Sequence, residues 1–268
     1  MQPEEPVPDV TVVLPCYNEQ DHVTLEVERI CAALDESTFT YELLAIDDKS
    51  TDATLERLRQ IEPKHPHMRV VPFQTNGGSG TVRRIGSQMA RGAIVVWTDA
   101  DMTYPNERIP ELVAYLDENP GYDQVVGART SEKGSHKFAR VPAKWTIRKF
   151  AELLSGASIP DLNSGLRAFR ADVARPYLRL LPAGFSCVTT ITLAFLHNQH
   201  AIAYLPIEYS SRAGSSKFHP FADAYRYILQ VLRMVMFWNP LKVLMPVAIA
   251  LAVLGTGKLI FDQFEAPF

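Results

Sequence analysis

Only three of the 268 residues are cysteine (Cys16, Cys31 and Cys187), and they have neither metal-type spacing nor an even number to pair. That scarcity excludes a disulfide scaffold and a cysteine metal centre, and reads as packed, reduced thiols in a cytosolic setting. The polar, proline-rich residues 1–8 lack a basic segment leading into an apolar one, so a flexible N-terminus without a signal peptide is expected. No glycine-rich turn follows the first apolar run, and after Gly78-Ser79-Gly80 the third glycine of a dinucleotide fingerprint is replaced by Arg83. A lysine-bearing phosphate loop is missing too. These gaps exclude a nicotinamide site and disfavour a nucleotidyltransferase. Any phosphates must be held by metal and basic side chains rather than by the start of a helix. There is no internal repeat and no low-complexity tract.

A formal net charge of −3 argues against a nucleic-acid partner. It conceals a basic block in which Arg129, Lys133, Lys137, Arg140, Lys144, Arg148 and Lys149 face only Glu132. The block suits an anion, or else is a solvated helix and loop.

With 47% hydrophobic residues the chain can bury a large core. Apolar runs at Val10–Leu14, Glu42–Ile46, Met68–Phe73 and Ala93–Trp97 alternate with helical periodicity at Glu19–Leu34, from a Ser50 or Thr51 cap to Ile61, and from the Asn76–Gly80 turn to Ala90. Four strand–helix alternations with short connections predict a doubly wound parallel sheet. A further strand at Asp123–Gly127 and helices at Ala143–Leu154 and Asp172–Leu180 are expected beyond it.

The polar loops Tyr17-Asn18-Glu19, Asp47-Asp48 and Asp99-Ala100-Asp101 each follow a strand and should share the carboxyl rim, where open α/β sheets bind ligands. Asp99 and Asp101, one residue apart, suit Mg²⁺ or Mn²⁺ together with a diphosphate. The alternative is a solvated turn that caps the next helix. Tyr17 can stack on a base or simply pack. Glu19 and Asp48 can accept hydrogen bonds from a nucleotide, and Asp47 beside them can do so or merely cap. Asp161, ahead of Asn163-Ser164-Gly165-Leu166-Arg167, is a candidate carboxylate near a reacting centre, or a loop aspartate paired to Arg167 or Arg170. Arg212-Ala213-Gly214-Ser215-Ser216-Lys217 places two cations and two hydroxyls around a turn suited to phosphate.

Near the C-terminus, Val243–Gly257 carries no charge, and with Lys258 snorkelling the apolar stretch reaches Phe261. That length approaches the ~20 residues of one membrane crossing; a buried soluble helix is the competing reading. Phe218–Trp238, aromatic-rich with Arg226 and Arg233 seven residues apart, fits a helix lying in the bilayer interface or one packed on the preceding domain.

Five motifs in order, Pro15-Cys16-Tyr17-Asn18-Glu19, Asp47-Asp48-Lys49-Ser50-Thr51-Asp52, Asp99-Ala100-Asp101, Asp161 with Ser164-Gly165-Leu166-Arg167, and Arg212-x-Gly214-x-Ser216-Lys217, resemble the inverting family 2 glycosyltransferases. The resemblance is to their polyprenyl-phosphate branch, which includes dolichyl-phosphate mannose synthase, and it runs from about Val10 to Trp238. It implies a Rossmann-like GT-A nucleotide-sugar domain over residues 9–217 with a mostly parallel sheet. An interfacial helix would follow over 218–240 and a membrane-anchoring segment over 241–268. Pro15, Tyr17, Glu19, Asp47, Asp48 and Asp99 would bind the nucleotide, while Asp99 and Asp101 hold Mg²⁺ or Mn²⁺. Arg129, Arg148, Ser164, Arg212, Ser216 and Lys217 would contact phosphate or acceptor, with Asp161 and Asp101 catalytic. The partners implied are a nucleotide-sugar donor (UDP- or GDP-linked), a polyprenyl-phosphate lipid and the membrane, with the catalytic domain on its cytoplasmic side.

Three positions depart from the family pattern. Lys49 stands where glycine is common, Thr103 where a glutamine can ligate metal, and Glu152 near a commonly found serine. A lipid monophosphate acceptor needs no strong base, whereas a saccharide hydroxyl acceptor would make Asp161 the base. An idle nucleotide-sugar binding module is the third reading.

Overall fold

Val10–Cys16 forms strand β1, whose residues are buried on both faces, as a central strand of a parallel sheet requires. The computed structural model describes residues 7–130, 152, 158–184, 186–210, 229, 232–233, 236–237 and 240–265. Helix α1 (Val23–Asp35) follows, then β2 (Tyr41–Asp47), α2 (Thr54–Ile61), β3 (Met68–Pro72), α3 (Ser79–Met89), β4 (Ile94–Trp97) and α4 (Ile109–Glu118). Next come β5 (Gln124–Arg129), β6 (Arg167–Arg170), the short α5 (Ala171–Ala174), α6 (Cys187–His197), β7 (Ile202–Ile207) and α7 (Pro240–Glu265).

The sheet has seven strands in the order β3-β2-β1-β4-β6-β5-β7. All neighbours are parallel except β6, which runs antiparallel to both β4 and β5. The sheet is therefore mixed rather than purely doubly wound. Arg167–Arg170 is inserted between β4 and β5, with Trp97 paired to Arg167.

Alternating side chains divide the core into two layers. On one face Val12, Leu14, Leu43 and Ala45 meet Val23, Val27, Ile30 and Leu34 of α1, Leu58 of α2 and Leu112 and Leu116 of α4. On the other, Val13, Leu44, Ile46 and Trp97 meet Val82 of α3 and Cys187, Ile191 and Phe195 of α6. Trp97 meets Phe169 edge-on at 5.0 Å and donates its indole N–H to Ser87 Oγ at 2.8 Å, which satisfies its polar atom in the core.

Other expectations shift in detail. α2 is not capped by Ser50 or Thr51; Asp52 Oδ1 accepts from Thr54 N at 2.9 Å instead. The helix expected at Asp172–Leu180 is one α turn followed by a 3₁₀ segment, Arg175–Leu180. All but Glu152 of the helix expected at Ala143–Leu154, and nearly all of Phe218–Trp238, lie outside the described residues. All three cysteines are free and buried. α7 is apolar, and every side chain described on it is exposed. Its segment Leu244–Gln263 is long and apolar enough to cross a membrane.

Candidate active site at the carboxyl rim

The first two rim loops are laced together. Asn18 N donates to Ser50 Oγ (3.0 Å), Glu19 N to Thr54 Oγ1 (2.9 Å), Thr51 N to Asn18 Oδ1 (2.8 Å) and Ala53 N to Gln20 Oε1 (3.0 Å). Asp48 N closes back onto Cys16 O at 2.9 Å. Pro15 is half-buried at the end of β1, Glu19 is half-buried, and Tyr17 stands exposed on the rim.

Asp47 and Asp48 are both buried but do different work. Asp48 accepts from Gly77 N and Gly78 N, each at 2.7 Å, one per carboxylate oxygen, and so fixes the turn before α3. Asp47 Oδ2 accepts from Ser50 N at 3.1 Å, while its buried Oδ1 has no hydrogen-bond partner among the described residues. The start of α3 is closed by protein, since Gly80 N and Thr81 N donate to Ala183 O at 2.7 and 3.3 Å. Lys49 adopts the left-handed region (φ 59°), which explains why a glycine suits its position. Its Nζ reaches Gln74 O at 2.8 Å.

The third loop carries the aspartate pair on a buried frame. Asp99 Oδ1 accepts from Arg83 Nη2 at 2.6 Å, and Arg83 is fully buried. Burial works against the Arg83 charge, yet Asp99, with Cys187 and Tyr104 adding to it, holds the guanidinium above its ordinary value. Asp101 Oδ1 accepts from Thr103 Oγ1 at 2.5 Å. The Thr103 hydroxyl therefore spends its proton on the neighbouring carboxylate. Beneath the loop, Thr98, Asn106 and the buried Glu26 form a hydrogen-bonded chain, and Glu26 also pairs with Arg29 at 2.9 Å. Burial pushes the Glu26 carboxyl up, with the Asn106 hydrogen bond and Arg29 opposing it.

The Asp161 loop docks directly onto this loop. Gly165 N donates to Tyr104 OH at 2.7 Å. A Cβ at Gly165 would lie 2.7 Å from Asp99 Oδ2 and 3.2 Å from Arg83 Nη2, so only glycine permits this approach. Asp161 pairs with neither Arg167 nor Arg170. Arg129 grips it through Nε to Oδ2 (2.7 Å), Nη2 to Oδ1 (2.9 Å) and its own backbone N to Oδ2 (3.2 Å). Asn163 N adds a bond of 3.0 Å. Burial pushes the Asp161 carboxyl up, but the Arg129 hydrogen bonds and charge prevail and hold it below the usual carboxylate value. The Arg129 guanidinium also lies 5.2 Å from the Tyr209 ring, which stacks edge-on against Tyr104 at 5.1 Å.

Arg167 is turned inward and holds the loop from behind. It donates to Ser164 O at 3.1 Å, to Val188 O at 2.9 Å and to Thr192 Oγ1 at 2.8 Å, and burial lowers its pKa to about 10. Arg170 donates to the Tyr122 and Leu116 carbonyls. Ser164 is fully buried, and its hydroxyl has no hydrogen-bond partner among the described residues.

The three rim loops, the Asp161 loop and Arg129 thus occupy the carboxyl side of β1, β2, β4 and β5. Arg148, Arg212, Ser216 and Lys217 lie outside the described residues. Arg83, Glu26, Tyr104, Asn106 and Tyr209 were not singled out for a site role from sequence. A charge at Arg83 on the helix face shared with Gly80, Val82, Gly86 and Ser87 was an available signal.

Among the described residues no three acidic, histidine or cysteine side chains cluster as a metal cage. Two carboxylates on one loop are a hard-oxygen donor set that fits a cation taking its remaining oxygens from a diphosphate.

The profile described as "Glycosyl transferase family 2" matches residues 11–178. A relative from Photorhabdus laumondii, undecaprenyl-phosphate 4-deoxy-4-formamido-L-arabinose transferase, is 32% identical over 176 residues, which is 65% of this chain and 53% of that protein. Dodecaprenyl-phosphate galacturonate synthase from Rhizobium johnstonii is 29% identical over 168 residues, 62% of this chain and 49% of its own. The chain spans about half the length of the curated relatives it matches. Glucosyl-3-phosphoglycerate synthase from Mycobacterium tuberculosis, solved with UDP, superposes with a TM-score of 0.65 at 18% identity over 88% of this chain and 86% of that one. Its complex with Mn²⁺, UDP and glucosyl-3-phosphoglycerate gives 0.62 at 18% identity, over 88% of this chain and 85% of that one. At that identity the likeness shows the fold.

Proposed function

The chain belongs to glycosyl transferase family 2, and on that premise we propose that it transfers a sugar, with inversion, from a nucleoside diphosphate to a polyprenyl phosphate. The observation that carries the choice of acceptor is the Arg129 clamp on Asp161. A carboxylate held below its ordinary pKa by a bidentate guanidinium is a poor proton acceptor. The acceptor must then arrive already ionised, as a phosphate monoester does near neutral pH. The names of the Photorhabdus and Rhizobium relatives support the same acceptor class.

In this reading a phosphate oxygen of the lipid attacks the anomeric carbon, and the bond from that carbon to the diphosphate breaks. The nucleoside diphosphate leaves with the electron pair, and no proton need move. Tyr17, at the exposed rim, stacks on the base; Pro15, Glu19 and Asp47 line the nucleotide side, with Asp48 holding the Gly77–Gly78 turn beneath them. Asp99 and Asp101 would hold Mg²⁺ or Mn²⁺, whose charge stabilises the departing diphosphate. Asp161 keeps Arg129 oriented toward phosphate, and Ser164 shapes the acceptor side. Arg148, Arg212, Ser216 and Lys217 are assigned to phosphate or acceptor from sequence.

From sequence, residues 9–217 are assigned to the catalytic domain, 218–240 to an interfacial helix and 241–268 to the membrane anchor. The exposed apolar face all round α7 supports the anchor. Lys258 and Asp262 pair at 3.0 Å near its end, which lessens the cost of two charges there. We assign the catalytic domain to the cytoplasmic side, a reading that the free cysteines and the nucleotide-sugar donor support.

The test is acceptor competition. With a labelled nucleotide-sugar and a divalent cation, label should enter the organic phase with undecaprenyl phosphate and not with the free polyprenol. Labelling of the polyprenol or of a water-soluble saccharide instead would replace this reading with a hydroxyl acceptor.

A further inference from the structure

A buried guanidinium is unfavourable unless several acceptors meet it, and those that meet Arg83 come from separate parts of the fold. From α3 its Nη2 reaches Asp99 Oδ1 at 2.6 Å and Thr98 O at 3.3 Å, both just beyond β4. Its Nη1 reaches Cys187 Sγ of α6 at 3.9 Å. The guanidinium lies 5.7 Å from the centre of the Trp97 ring. Asp99 is therefore held on one oxygen by Arg83, and the Gly165 backbone closes on the other, where a Cβ would come within 2.7 Å. Asp101, one residue on, accepts at Oδ1 from the Thr103 hydroxyl at 2.5 Å and from Thr103 N at 3.3 Å.

We propose that Arg83 is a positioning residue with two effects: it locks the Asp99 carboxylate in one orientation, and it offsets that charge so the loop binds a divalent cation weakly until a diphosphate joins it. The proposal rests on the reading that the Asp99–Asp101 loop receives a cation and a diphosphate. A fixed positive charge this close opposes a second cation as strongly as it favours the carboxylate's ionised form. One neighbouring charge is typically reflected in shifts of about 1–3 pKa units, so its removal changes ion affinity about tenfold or more. The same removal frees Asp99 to rotate, which weakens the complete site. The two effects have opposite signs, which a merely structural arginine would not produce.

Mn²⁺ binding to the full chain in detergent is measured by electron paramagnetic resonance without nucleotide, and UDP and GDP binding by calorimetry with Mn²⁺ present. Arg83→Met should bind bare Mn²⁺ about tenfold more tightly than wild type, and the preferred diphosphate about tenfold more weakly. Arg83→Lys keeps a cation but loses the planar fork. It should leave bare Mn²⁺ affinity near wild type and still weaken the diphosphate severalfold. Bare Mn²⁺ affinity that is unchanged or lower in Arg83→Met overturns the proposal. Should that variant fail to fold, Arg83→Lys decides: wild-type diphosphate affinity overturns the proposal, and weakened diphosphate with unchanged Mn²⁺ supports it. A wild type that binds neither ion nor diphosphate refutes the site reading itself, and this proposal with it.

Discussion

Replacing Asp161 with asparagine separates the two ways this site could handle its acceptor. Asp161 and Arg129 side chains are 9% and 13% exposed, so the pair is buried and solvent screening discounts little. Removing one partner of a buried pair costs about 3–5 kcal/mol. Asparagine keeps one carbonyl oxygen for part of the Arg129 fork, which puts the expected loss at the lower end, about 3 kcal/mol. The carboxyl is held below its ordinary value of 3.8, so the pair's contribution is present above pH 3.8 and fades as pH falls through the lower folded value. The stability difference between Asp161→Asn and wild type, read by denaturant titration, should shrink below that pH. In turnover, a loosened Arg129 should lower kcat about 10–100-fold, the scale of a small misplacement. The pH profile should keep its shape, with the rate falling below about pH 6 as the acceptor phosphate takes up its second proton. A loss near 10⁴-fold, the upper range for general-base catalysis, with disappearance of the wild-type pH limb, would refute the reasoning and make Asp161 the base for a hydroxyl.

Gly165→Ala places a methyl 2.7 Å from Asp99 Oδ2, so Mn²⁺-dependent diphosphate binding by calorimetry should weaken at least ~10-fold, on the scale of a carboxylate displaced by a fraction of an ångström; unchanged affinity would refute the docking of that loop on Asp99. Lys49→Gly relieves a left-handed conformation (φ 59°) at the loss of one exposed contact. The variant should be as stable as wild type or more stable by up to ~1 kcal/mol in chemical denaturation, and a loss larger than that would show the Gln74 contact to matter. Leu251→Arg with Leu254→Arg adds two charges to α7, each costing roughly 2.5–3.5 kcal/mol at a bilayer centre. Flotation with liposomes should fall sharply, and undiminished flotation would move the anchor away from α7.

The first half of the fold was legible because β1, β2 and β4 are apolar runs ending in acidic loops, and α1 shows Val23, Val27, Ile30 and Leu34 at helical spacing. The second half was not. Arg167–Arg170 is four residues with an arginine at each end, a pattern that hides an internal strand because Arg167 bonds inward to carbonyls and Thr192. β7 carries Pro206, and Cys187–Phe195 is buried all round, so neither shows a clear period. The rim loops could be placed together from strand order alone. Partner choice could not, because sequence offered Arg167 and Arg170 as nearby cations for Asp161. Arg129 instead reaches it across 32 positions, carried there by β5. The Arg83–Asp99 contact was hidden for a related reason. Only the packing of α3 against the sheet brings a helix arginine beneath a loop that follows the next strand.

In the proposed reaction, donor cleavage waits for a lipid phosphate. Release of nucleoside diphosphate should be measured from a panel of UDP- and GDP-sugars, with Mn²⁺ or Mg²⁺, in the presence and absence of a polyprenyl phosphate. Release from one donor that rises with the lipid phosphate and vanishes without it is the expected result. Release at the same rate without lipid, or from no donor in its presence, would contradict the account.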